Sequence, residues 1–127
     1  RWLATETSDG APSFLYHFDY VAERRREKSD GAAHGSEITY VFDTTEYYES
    51  VVGELTPSDR VFADGLSACW ASFAKTRQPQ CALVPGWGGY DPQRDEVALF
   101  APETRIVAGF RQPILDLILS RYDDLPH

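Results

Sequence analysis

The chain has 127 residues, 43% of them hydrophobic and 25% charged, which places it among ordinary soluble globular sequences and excludes a disordered tail. Twelve Lys and Arg stand against twenty Asp and Glu, a formal charge of -8, so a partner held by counterion release, such as nucleic acid, is excluded. This length suits one domain with roughly two-thirds of its unfolded surface buried, yet the elements below read as part of a larger one.

The opening RWLATETSDGAP carries no basic-then-apolar leader, and a sequence without a single Met reads as a piece of something longer. After the turn cluster Ser8–Pro12, the run Ser13-Phe14-Leu15-Tyr16-His17-Phe18-Asp19-Tyr20-Val21 predicts a buried strand. One such strand satisfies neither its edges nor its faces, so it is expected to join a sheet whose other strands lie elsewhere. The mixed charges of Glu23–Asp30 predict a solvated loop ending at Gly31. Small residues then surround one histidine in Gly31-Ala32-Ala33-His34-Gly35-Ser36-Glu37, followed by Ile38, Tyr40, Val41 and Phe42.

Thr56-Pro57-Ser58-Asp59 is a helix start, with Thr56 or Ser58 as cap and Asp59 favourable in the first turn. Val61, Phe62, Leu66, Cys69, Trp70 and Phe73 continue it as an apolar stripe of helical period, about five turns long, ending near Lys75 and Pro79. Pro85–Pro92 is loop. Glu96–Phe100 and Thr104–Ala108 predict a small hairpin across Pro102, and Pro113 opens a final helix through Arg121. The most apolar stretch, Ile114–Leu119, is interrupted by Asp116 and closed by Arg121, so no membrane span is expected.

Cys69 and Cys81 are too few for a disulfide scaffold. Their pairing requires a tight reversal after the helix and stays open, as does the compartment. No metal-ligand spacing, P-loop, G-x-G-x-x-G or G-x-S-x-G is present, so neither a metal nor a cofactor is expected and no nucleophile is in view.

His34 has two readings. An imidazole on a glycine-flanked loop just beyond a strand suits general acid/base work; equally, such a histidine can be a surface or structural residue. His17, between Tyr16 and Phe18, reads as a packed, hydrogen-bonded strand residue, and His127 as terminal. Glu37 either orients the loop or satisfies local amides at a helix start. Asp123 and Asp124 suggest no glycosidase pair. Trp70 and Phe73 read as core, and Trp87 and Tyr90 as a loop packed on the body.

The segment from Gly31 to Phe42 resembles the histidine loop of type-B carboxylesterases, the cholinesterase-like branch of the α/β-hydrolases. Leu15–Val21 resembles that family's last long strand, Trp70-Ala71-Ser72-Phe73-Ala74-Lys75-Thr76 the end of its long C-terminal helix, and Pro85-Gly86-Trp87 with Tyr90-Asp91-Pro92 the loop that follows. The resemblance implies an α/β fold class. Residues 1–127 would be the C-terminal portion of one α/β-hydrolase domain, contributing a sheet strand, the histidine loop, a long helix, a small hairpin and a terminal helix.

It implies a serine hydrolase of small carboxylic esters with His34 as catalytic histidine and Glu37 supporting it from outside the triad. The nucleophile, its acid and the oxyanion-hole glycines would lie upstream, so the upstream segment is a required partner, and the 127 residues alone are expected to be inactive and to fold poorly. The resemblance somewhat favours a secreted or periplasmic protein, with a cytoplasmic one as the alternative. Arg77-Gln78-Pro79-Gln80 and Gly88-Gly89 depart from the family pattern at what reads as a peripheral surface. A non-catalytic cholinesterase-like binding module is the competing reading.

Overall fold

Helix α3 (Pro57–Thr76) organises the structure, a computed structural model that describes residues 1–7, 10–48, 50 and 53–123. Thr56 is its cap. The Thr56 hydroxyl accepts the Asp59 N–H (3.3 Å), and the Asp59 carboxylate accepts the Thr56 N–H in return (2.8 Å). Pro57 fills the first helical position, where no N–H is needed. Phe62, Leu66 and Cys69 of the predicted stripe are buried, whereas Val61 points to solvent and Phe73 is half-exposed.

The helix stops at Arg77, which adopts the left-handed conformation (φ 60°) and bonds its N–H to the Phe73 carbonyl at 2.7 Å. A side chain bearing a Cβ is strained there, and glycine is not. The departure at Arg77 therefore carries a local cost, and Arg77→Gly is expected to raise stability by about 0.5–1 kcal/mol, read from the urea midpoint.

Beyond Arg77 the chain reverses sharply, with Gln80 donating its N–H to the Ser72 hydroxyl (2.8 Å). This brings Cys81 against the helix, and Cys69 and Cys81 form a disulfide across a Cα separation of 4.5 Å. The question left open by the sequence is thus resolved by the reversal. Closing so short a loop restricts the unfolded chain modestly, so reduction is expected to lower stability by about 2–3 kcal/mol in a comparison of urea midpoints with and without reductant.

The sheet has three strands among the described residues, ordered β1 (Tyr16–Phe18), β2 (Glu96–Phe100) and β3 (Arg105–Ala108). The predicted hairpin is present as the antiparallel pair β2–β3. β1 differs from its expectation: its regular part is three residues long, and Tyr16 is 41% exposed. Nor do all its neighbours lie elsewhere, since β2 pairs with it in parallel, Tyr16 opposite Ala98 and Phe18 opposite Phe100.

Residues opposite one another share a face, so Tyr16, Phe18 and Phe100 look toward α3, where Trp70 and Phe62 meet them. His17 faces the other way, its ring 4.6 Å from that of Phe110. Ring packing therefore fixes His17, with no hydrogen bond to its imidazole among the described residues, contrary to the bonded side chain expected. Burial and the Arg111 charge lower its pKa, against a smaller opposing effect of Asp19.

Further helical elements surround this core. Helix α1 (Trp2–Glu6) was not foreseen; it has no side-chain cap and too few residues to show a period. The Glu23–Lys28 charge run is solvated as expected but forms a 3-10 helix, not an irregular loop. Arg26 there donates to the Val21 carbonyl (3.0 Å), and Arg24 pairs with Glu54. Helix α2 (Glu37–Val41) follows, and α4 (Gln112–Asp123) covers the predicted last helix. Among the described residues no helix is long and apolar enough to cross a membrane.

Asp59 is fully buried. Burial alone would raise its pKa, but hydrogen bonds from Tyr20, Thr56 and the Glu23 N–H outweigh it and hold the carboxyl below its ordinary value. A depressed folded-state pKa contributes stability above the unfolded carboxyl value and loses it as pH falls through the folded one. Thermal stability is therefore expected to drop below about pH 4, with a shallower dependence in Asp59→Asn, measured as Tm against pH.

Candidate active site

The histidine loop hangs from the end of β1. Asp19, one residue past the strand, bonds its own N–H to the Phe100 carbonyl (2.7 Å) and accepts the Ala32 N–H on its carboxylate (3.3 Å). Gly31 passes so close to this carboxylate, at φ 137°, that a Cβ would stand 3.1 Å from the oxygen. Gly35 is also left-handed, at φ 74°. Between them the Ala33 carbonyl accepts both the N–H (3.1 Å) and the hydroxyl (2.8 Å) of Ser36. His34 occupies this turn with its side chain exposed.

Glu37 opens α2 and is half-buried; the cap residue before it, Ser36, makes no side-chain cap bond. The Glu37 charge adds to burial in raising the Tyr16 phenol. The loop and the helix start thus lie together beside the sheet. Behind the loop is a pocket of about 70 Å³ whose lining includes Tyr20, Ala33, Ser36 and Tyr40. Tyr40 is almost wholly buried against Phe18, Tyr20 and Phe62, and burial with the Asp59 charge pushes its phenol up to about 12.

A larger cleft, about 370 Å³, lies at the start of β1 and is lined by Phe14, Tyr16, Trp70, Phe73, Trp87 and Cys69, among others. Trp87 closes it from the loop after the disulfide, donating its indole N–H to the Leu15 carbonyl (3.1 Å). Tyr90 ties the same loop down through its N–H to Ser13 (2.7 Å) and its hydroxyl to Asp95 (2.9 Å). Both aromatics are therefore packed on the body, as expected.

Among the described residues no three His, Cys, Asp or Glu side chains gather as a metal site would require. Asp124 and His127 lie outside the described residues, and the side chain of Asp123 does too. Sequence reasoning missed the clamp from Asp19 to Ala32 and the bond between Tyr20 and Asp59. Neither left a trace in the sequence, since the Thr56 and Asp59 spacing marks only the helix cap.

The chain has known counterparts. The chain matches the carboxylesterase family over residues 1–116. It is 29% identical over 84 residues to carboxylesterase 4A of Bos taurus, which covers 65% of this chain and 14% of that protein. Carboxylesterase 1C of Rattus norvegicus is 33% identical over 86 residues, again 65% of this chain and 15% of that one. Para-nitrobenzyl esterase of Bacillus subtilis (strain 168) is 26% identical over 104 residues, 81% and 21% of the two chains.

In structure it resembles a PNB esterase at a TM-score of 0.75 and 23% identity, covering 98% of this chain and 24% of the other. A thermophilic PNB esterase gives 0.74 and 25%, covering 87% and 23%. The chain thus spans less than a quarter of the length of each of these proteins. Its mixed sheet and flanking helices are a portion of the α/β-hydrolase fold, and the chain belongs to the carboxylesterase family.

Proposed function

We propose that this chain is the C-terminal part of a serine carboxylic-ester hydrolase and that His34 is its general base. The observation that supports this most is the position of His34: a solvent-facing turn held by two left-handed glycines, one of them packed against Asp19 just past a parallel strand. Such a turn presents an imidazole to a neighbour without burying it in the fold's own contacts.

The nucleophilic serine, its acid and the oxyanion donors belong to the upstream segment in this reading. His34 takes the proton from the serine hydroxyl as that oxygen adds to the ester carbonyl, then passes it to the departing alcohol. In the second half-reaction it deprotonates water, which adds to the acyl-enzyme and releases the acid. Glu37, at the start of α2, lies outside the triad and supports the loop.

The requirement for an upstream segment has its own support. Large apolar side chains are exposed on α1 (Trp2, Leu3), α2 (Ile38) and α4 (Ile114, Leu117, Ile118), and the outer edge of β1 has no partner strand among the described residues.

The test uses the complete protein and a short-chain p-nitrophenyl ester. Hydrolysis blocked by a serine-directed fluorophosphonate, lost in His34→Ala with circular dichroism unchanged, is the expected result; the 127 residues alone should be inactive. A complete protein that is folded, unlabelled and inactive would overturn the enzymatic reading in favour of a binding module.

A further inference from the structure

The first turn of α3 holds a carboxylate with more hydrogen bonds than a helix cap uses. One oxygen of Asp59 serves the cap, accepting the Thr56 N–H (2.8 Å) and hydroxyl (2.9 Å). The other leaves the helix altogether and accepts the Tyr20 hydroxyl (2.6 Å) and the Glu23 N–H (3.0 Å), with the Arg26 guanidinium 4.0 Å away. Asp59 therefore pins the segment that leaves β1 to the end of the long helix. A buried carboxylate keeps its charge only where such donors surround it.

That segment is also what carries the histidine loop. On one side, Asp19 holds the Ala32 N–H. On the other, the Tyr20 ring, stacked on Phe62 at 3.6 Å, meets Tyr40 of α2 edge-on at 5.7 Å. Both ends of the turn bearing His34 are thus suspended from residues 19 and 20, and residue 20 is fixed by Asp59.

We propose that Asp59, acting through Tyr20, is a positioning residue for the His34 base; this rests on the assignment of His34 made above. Asp59 touches neither substrate nor imidazole. Its effect is to hold the frame against which the loop is set, and misplacement of a catalytic group by about 1 Å costs up to 10²-fold in rate. All four contacts to the carboxylate are donors, so Asp59→Asn, nearly identical in shape, turns an NH₂ group toward donors and breaks the arrangement.

The complete protein is assayed with a short-chain p-nitrophenyl ester, and kcat is expressed per active site counted by fluorophosphonate labelling. Asp59→Asn is expected to lower kcat per labelled site about tenfold and Tyr20→Phe about threefold, with KM within about twofold of wild type. In a His34→Ala background neither should lower the residual rate further. A structural cap alone predicts fewer labelled sites with kcat per site unchanged, and that result in either variant overturns the proposal. Tyr20→Phe keeps the ring stack and decides the matter should Asp59→Asn fail to fold. If His34→Ala itself retains wild-type turnover, the base assignment falls and this proposal with it; if His34→Ala is inactive while Tyr20→Phe is unchanged, only the positioning role falls.

Discussion

His34→Ala in the complete protein is expected to lower kcat/KM toward a short-chain aryl ester by about 10⁴-fold, while the urea midpoint changes by less than the equivalent of about 0.5 kcal/mol. The two halves of this expectation come from the same geometry. The imidazole is exposed and accepts or donates no hydrogen bond among the described residues, so its removal leaves the Ala33–Ser36 turn and both glycines undisturbed. In the proposed mechanism the chemistry loses its general base, and a serine hydroxyl without one is a poor nucleophile at neutral pH. Added imidazole, which fits the space that truncation opens, should restore a measurable part of the rate. A variant within tenfold of wild type, by contrast, would remove His34 from the mechanism.

Phe100→Ala should have the largest effect on stability, about 3–5 kcal/mol in urea unfolding followed by tryptophan fluorescence. Phe100 is fully buried at the end of β2, its ring 5.5 Å from Trp87, 5.8 Å from Trp70 and 6.1 Å from Tyr16. Three rings held by separate elements lose contact together when it is truncated, and none can move inward without leaving its own partners. The loss is a large fraction of the stability of a typical domain. Phe100→Leu, which keeps most of the volume, should cost well under half as much. A midpoint shift equivalent to less than about 1 kcal/mol for the alanine variant would mean that the cluster closes around the gap.

The long helix was legible because its signals are local: Thr56, Pro57 and Asp59 lie within one turn, and the stripe from Phe62 to Phe73 repeats at helical spacing. The hairpin was legible for the same reason, its two strands being separated only by a short turn around Pro102. Strand β1 was drawn too long because a run of aromatics reads as continuous strand, whereas Tyr20 is turned aside by a bond to a residue 39 positions away. Helix α1 left no signal, since five residues without a side-chain cap are too few to show a period. Of the candidate site, the His34 turn could be read from its glycines. The clamp that holds it could not, because Asp19, Tyr20 and Asp59 carry no mark of their partners until the chain is folded.

Parallel pairing of β1 with β2 has a consequence for the order in which the chain folds. Helix α3 can form as soon as its own residues exist, because its bonds and caps are local. The frame of His34 cannot. Asp19, which holds the loop, takes its own backbone bond from Phe100, and the two are separated by most of the chain. Within these residues the histidine loop precedes the hairpin, so during synthesis it waits, unsupported, until the hairpin has been made. The proposed base thus gains its fixed position only once β2, which lies later in the chain, has paired with β1.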